Sequence, residues 1–153
     1  MSFDFVTRRL ATGGEIKTPK EAACLIAAGV THVLNVADNA NCDMILAYVL
    51  NKPANVTCLR NPIDDNEPRQ PKPVSWFETS LRFILPALAE PRTKVYVHCK
   101  EGLNRGPVTA YCALRALGFS PLYVEGLIRQ IRPQVELHYM QDAEAALVAL
   151  GYT

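Results

Sequence analysis

The stretch "KVYVHCKEGLNRGP", Lys94 to Pro107, constrains the fold of this chain more than any other. An apolar, alternating, β-rich run ends at His98-Cys99. A short loop holding Gly102 then reaches Arg105, and Pro107 marks the opening of a helix. A strand that passes through a tight loop straight into a helix is the building unit of an α/β sheet. The question is whether the rest of the chain repeats that unit.

It does. A short strand near Arg9–Thr12 ends at Gly13-Gly14, and "TPKEAACLIAAG" follows with helix punctuation: Thr18 as N-cap, Pro19 first, Glu21 closing a capping box, Gly29 as stop. Val30 to Ala37 reads as a buried strand, Asp43–Leu50 as a helix and "NVTCLRNPI" as the next strand. "SWFETSLRFILPALAE" carries a second capping signature in Ser75 and Glu78, with Pro86 expected to kink or shorten its helix. After the central strand "KVYVHC", Gly118 ends the Pro107 helix. Ser120-Pro121 opens another that Pro133 ends, and a last helix runs to about Leu150. The expected fold class is α/β, a mostly parallel central sheet flanked by helices. With 153 residues and no repeat, low-complexity tract or charge block, the expectation is one domain over residues 1–153.

In such sheets ligands bind beyond the carboxyl ends of the strands, which is where Cys99 stands. A compact loop turns several backbone N–H groups inward, and the helix start adds partial positive charge. Gly102 permits a tight turn, and Arg105 offers a planar fork of donors to two oxygens of a phosphoryl group. Lys100, Glu101, Gly102, Leu103, Asn104 and Arg105 therefore form the expected phosphate cradle. The same field favours the thiolate of a cysteine, and a thiolate beneath a bound phosphoryl group is placed for in-line attack. His98 is given an orienting role through hydrogen bonds that hold the loop.

Net charge is +1, which argues against a broad nucleic-acid or membrane-binding face. No apolar run approaches a membrane span, and the N-terminus lacks a signal-peptide pattern, so a cytoplasmic setting is expected without membrane insertion. The five cysteines (Cys24, Cys42, Cys58, Cys99, Cys112) include no CxxC pair. That spacing suits neither a secreted disulfide framework nor a zinc site, so no metal and no cofactor is expected. All but Cys99 are read as buried small hydrophobes.

"HCKEGLNR" resembles the H-C-x5-R signature of the cysteine-dependent protein tyrosine phosphatase superfamily. The short chain, with "GVTHVLNVAD" ahead of the loop, is similar to the dual-specificity branch, and "NPIDDNEP" falls where that branch keeps its general acid. The C-terminal "IRPQVELHYMQDAEAALVAL" is similar to its closing helices. The resemblance implies a protein tyrosine phosphatase-like fold and hydrolysis of phosphate monoesters through a phosphocysteine. Cys99 would be nucleophile, Arg105 phosphate anchor and Asp65 general acid, with Asp64 in reserve and Glu67 a distant third. Chemistry asks for such an acid independently, because the leaving oxygen must gain a proton as its bond breaks.

One position departs. The family usually has Ser or Thr directly after the arginine, and its hydroxyl stabilises the departing thiolate when phosphocysteine is hydrolysed. Here that residue is Gly106. The expected partner is a phosphorylated protein or another phosphate monoester. Gly106 keeps a phosphate-binding pseudophosphatase or substrate trap in view as the alternative. Asn104 resembles the "G-x-N-R" of RNA 5′-phosphatases, an option the near-neutral charge disfavours, and Lys100 either suits a more anionic, phosphoinositide-like substrate or, as the preferred reading, is a solvated loop residue. A persulfide-carrying sulfur-transfer role for Cys99 is disfavoured by the complete signature. Glu101 is expected to pair with a nearby arginine such as Arg132.

Overall fold

Side-chain alternation along the strands divides the apolar residues between two faces of one sheet. Leu10, Leu34, Val95 and Val97 join one buried cluster, whereas Ala11, Val33 and Tyr96 join the other. The computed structural model describes residues 2–38, 41–50 and 56–153. Its strands are β1 (Phe3–Phe5), β2 (Leu10–Gly13), β3 (His32–Asn35), β4 (Thr57–Arg60) and β5 (Val95–His98). They lie in the order β1-β2-β5-β3-β4, so the signature strand β5 is central. Every pairing is parallel except β1 with β2.

Helices α1 (Pro19–Ala27) and α2 (Asn41–Leu50) belong with the smaller cluster, through Ala22, Leu25, Cys42 and Leu46. Helices α3 (Val74–Ala89), α4 (Arg105–Ala116), α5 (Pro121–Ile131) and α6 (Met140–Ala149) build the larger one on the opposite face. The expected α/β fold with a mostly parallel sheet is the fold observed.

Several boundaries follow their local chemistry. The Thr18 hydroxyl accepts the Glu21 N–H at 3.2 Å, and Gly29 leaves α1 at φ 91°. The Ser120 hydroxyl accepts the Tyr123 N–H at 3.3 Å to start α5. Other boundaries differ. Strand β3 is shorter than the expected Val30–Ala37, and α2 starts at Asn41 rather than Asp43. Strand β4 covers only the middle of the apolar run, whose first residue, Asn55, lies outside the described residues. Strand β1 gave no expectation at all.

The Ser75–Glu78 capping box does not form. Pro73, in extended backbone, is the cap and its carbonyl accepts the Trp76 N–H at 3.1 Å, so Ser75 already lies inside the first turn. Pro86 does not end α3 either, since it falls in the last turns and removes a single bond. Likewise α4 begins at Arg105, not at Pro107. Pro107 is the third helical residue, and its missing N–H is one of the donors that have no intrahelical acceptor anyway. The first helical bond is donated by Val108 N–H to the Asn104 carbonyl at 2.8 Å. Finally, Cys24 and Cys58 are exposed, against expectation, while Cys42 and Cys112 are buried. Cys24 sits on the outer side of α1, and Cys58 on the strand at the edge of the sheet.

Candidate active site

Cys99 is the first residue after β5, and α4 starts six residues on with Arg105. The loop between them is held from outside. The Lys100 carbonyl accepts the Glu15 N–H at 2.9 Å, the Gly102 carbonyl accepts Arg132 Nε at 3.0 Å and the Leu103 carbonyl accepts the Glu136 N–H at 2.7 Å. With its carbonyls bonded outward, the loop can turn intervening amides toward an anion. Gly102 has φ 72°, and a Cβ there would meet Gly13 backbone at 2.5 Å. Only glycine satisfies both demands.

A cleft of about 280 Å³ opens over this loop. It is lined by Asp38, Asp65, Asn66, Arg69, Cys99, Lys100, Glu101, Leu103, Asn104, Arg105 and Glu136. Of the residues expected to cradle phosphate, Gly102 is the one that does not line it; its place is behind, packed on Gly13 and Arg132. Arg132 takes Asp4 as its carboxylate partner, Nη1 to Oδ2 at 2.7 Å. That replaces the expected pairing with Glu101, because β1 brings Asp4 to the guanidinium.

Arg105 is 6% exposed. Its Nη1 donates to the Ile63 carbonyl at 2.6 Å and faces Asp38 Oδ1 at 3.4 Å. Its Nε is buried with no hydrogen-bond partner among the described residues, 4.0 Å from Asp65 Oδ2. A buried donor without an acceptor is costly unless something else satisfies it, and here it belongs to the side chain best suited to bind an oxyanion.

The two acid candidates separate clearly. Asp64 is exposed, with Lys72 Nζ at 3.8 Å. Asp65 lines the cleft, and its Oδ1 accepts from Tyr139 Oη at 2.5 Å, Asn104 Nδ2 at 2.9 Å and Arg69 Nε at 3.1 Å. Burial alone would raise its pKa. The hydrogen bonds from Tyr139, Arg69 and Asn104 and the charge of Arg105 outweigh that and hold it below the usual value. Glu67 is exposed and pairs with Arg69. Asn104, 3% exposed, also accepts the His138 N–H at 2.7 Å on its Oδ1. It therefore straps the loop between β5 and α4 to both Asp65 and the segment before α6.

His98 is fully buried, and its Nδ1 lies 3.2 Å from the Cys99 carbonyl. A carbonyl only accepts, so Nδ1 carries the proton. Burial lowers its pKa to about 4, which keeps the ring neutral. Gly106 is the second residue of α4. A Cβ there would lie 3.1 Å from Thr12 Oγ1, 3.2 Å from the Cys99 nitrogen and 3.3 Å from the Val97 carbonyl. Thr12 is itself fully buried, and its hydroxyl has no hydrogen-bond partner among the described residues.

Comparison with known proteins agrees with this architecture. The family model for the dual specificity phosphatase catalytic domain matches residues 14–118. The chain belongs to this family. Solved structures share the same fold. Tk-PTP in its active form shares 23% identity over 97% of this chain and 95% of that one, with a TM-score of 0.74. PTPMT1 in complex with PI(5)P shares 17% over 97% and 98%, at 0.75. The human tyrosine phosphatase-like serine/threonine/tyrosine-interacting protein shares 15% over 97% of each chain, at 0.74.

Within this dual specificity phosphatase frame, sequence reasoning missed Tyr139, Arg69, Asp38 and Thr12. Arg69, four residues after Asp65, could have been found from its spacing. Tyr139 is 74 positions from Asp65, and nothing local marks it.

Proposed function

We propose that this protein hydrolyses phosphate monoesters on singly phosphorylated protein side chains, through a phosphocysteine on Cys99. What supports the reading is the convergence of Cys99, Arg105 and Asp65 on the lining of one cleft. Arg105 holds the phosphoryl oxygens through its Nε and Nη edge, and the loop amides take the rest. Cys99 attacks in line, the phosphorus–oxygen bond breaks, and Asp65 gives its proton to the leaving oxygen. Water, activated by the Asp65 carboxylate, then releases phosphate. His98 fixes the Cys99 carbonyl and takes no proton.

The family hydroxyl absent at Gly106 has a candidate substitute. Thr12 Oγ1, buried without a partner beside Gly106, is the hydroxyl we assign to stabilise the Cys99 thiolate as phosphate leaves. One missing hydrogen bond to a charged group is worth about 1.5–3 kcal/mol, so this assignment decides whether the second step is slow.

The charge of the cleft favours a single phosphate. Its lining pairs three cations (Arg69, Lys100, Arg105) with four carboxylates (Asp38, Asp65, Glu101, Glu136). Polyanions such as RNA or multiply phosphorylated inositides gain most from an excess of cations, which this lining lacks. Asn104, bonded to Asp65 and His138, is used as a strap rather than as a nucleic-acid contact. The described residues form no disulfide, which suits a reducing, cytoplasmic setting, and no helix among them is long and apolar enough to cross a membrane.

A second reading, a phosphate-binding substrate trap, is favoured by the ionised, triply bonded Asp65 together with Gly106. Burst and steady-state kinetics on an aryl phosphate separate the two. The phosphatase gives turnover that Cys99→Ser abolishes. A wild type that binds phosphate yet never forms phosphocysteine would sink it in favour of the trap.

A further inference from the structure

The alternation of β5 sends Cys99 and His98 to opposite faces of the sheet. Cys99 joins the α4 face, while His98 is stacked on Tyr96 on the face of α1 and α2. There the first turn of α2 presents Cys42 and Asp43. The Cys42 sulfur, an Asp43 carboxylate oxygen and a ring nitrogen of His98 all lie within 4.8 Å of one another.

Three features make this trio more than a chance cluster. First, His98 Nε2 is completely buried and has no hydrogen-bond partner among the described residues. Since Nδ1 carries the proton toward the Cys99 carbonyl, Nε2 presents a bare lone pair. An imidazole whose other nitrogen is anchored on a backbone carbonyl is the usual form of a metal-ligating histidine. Second, the Asn35 Oδ1 accepts the Ala37 N–H at 2.9 Å, which turns Nδ2 toward the trio. It donates to Cys42 Sγ at 3.4 Å and Asp43 Oδ2 at 3.2 Å, the outer-shell donation that orients anionic ligands. Third, Asp43 is the least buried of the three, so an ion would approach from its side, past Arg60, whose Nε lies 3.8 Å from Oδ2.

We propose that Cys42 Sγ, an Asp43 carboxylate oxygen and His98 Nε2 form a binding site for one zinc-class divalent ion, behind the phosphate loop and separate from Cys99. Thiolate, imidazole and carboxylate together select zinc and its neighbours over calcium or magnesium. Three protein ligands leave a fourth position for water. On binding, Cys42 loses its thiol proton to solvent, and no other bond is made or broken. The ion would grip the ring whose opposite nitrogen holds the Cys99 carbonyl, so occupancy bears directly on the strand end from which the phosphate loop springs.

The test is a titration of the reduced, chelator-treated full chain with Co2+ alone, followed by displacement with Zn2+. One equivalent of Co2+ should give a thiolate-to-cobalt charge-transfer band in the near ultraviolet, which one equivalent of Zn2+ removes. The band should persist in Cys99→Ser and vanish in Cys42→Ser, and Asp43→Asn should weaken Co2+ binding about tenfold or more. No band in wild type, a band kept by Cys42→Ser, or a band lost in Cys99→Ser overturns the site. Circular dichroism checks that Cys42→Ser folds. If it does not, Asp43→Asn decides alone, and an unchanged Co2+ affinity there overturns the proposal.

Discussion

The hydroxyl of Thr12 lies 3.1 Å from the point at which a side chain on Gly106 would begin. One residue lacks the hydroxyl that related chains place after the arginine, and the other has a buried hydroxyl with no partner. If Thr12 acts in place of that hydroxyl, Thr12→Val should slow phosphocysteine hydrolysis by roughly ten- to a hundredfold while leaving the burst phase fast. Thr12→Ser should restore turnover. An unchanged second step in Thr12→Val, measured by rapid-quench kinetics, would remove the role.

Gly106→Ser is the reciprocal test. Its Cβ would meet neighbours at 3.1–3.3 Å, which requires shifts of a few tenths of an ångström but no backbone strain. In the Thr12→Val background, Gly106→Ser should recover most of the lost turnover, because either hydroxyl can serve the departing thiolate. Failure to recover in a folded double variant would mean that the two positions are not equivalent.

Tyr139 donates the shortest hydrogen bond to Asp65 and only stabilises its charged form. Tyr139→Phe should therefore raise the Asp65 pKa from its depressed position. For an alkyl phosphate, kcat/KM follows the protonated fraction of the acid and falls as pH rises above its pKa. The fall should begin at higher pH in Tyr139→Phe, and Asp65→Asn should lack that limb altogether. The sign for stability is opposite. Asp65's depressed pKa contributes stability above the unfolded pKa, lost as pH falls through the folded one. Tyr139→Phe should flatten that acid dependence in denaturant melts.

Asp38, 61% exposed, is the one exposed carboxylate among the described residues that faces Arg105. A phosphoryl group held by Arg105 would compete with it for Nη1. With Asp38 open to solvent the pair is screened and worth at most about 1 kcal/mol, so Asp38→Asn should tighten inorganic phosphate binding by up to roughly fivefold. Isothermal titration reads this directly, and weaker binding would make Asp38 a helper rather than a competitor.

Gly102→Ala should be destabilising, since φ 72° and a 2.5 Å contact with Gly13 act together. A loss of about 2–4 kcal/mol is expected in urea melts, well above an ordinary surface substitution. A melt within error of wild type would mean that the loop relaxes without cost.

The sequence by itself determined the elements whose signals are local. Thr18, Pro19 and Gly29 bound α1, Ser120 and Pro121 start α5, and the alternation in "KVYVHC" builds β5. It also determined that Cys99 sits at a strand end with Arg105 just beyond a short loop, although it put the start of the next helix at Pro107 rather than at Arg105. Local signals overreached where a neighbour supplied the same function, as Pro73 did for the cap of α3. The tertiary structure alone decided the rest. It separated Asp65 from Asp64 through Tyr139, Asn104 and Arg69, and it gave Arg132 to Asp4. It also brought Thr12 beside Gly106 and His98 beside Cys42 and Asp43. These pairings span β2, α2, β5, α4 and the segment before α6. They depend on the order in which the strands lie side by side, and no periodicity in the chain records that order.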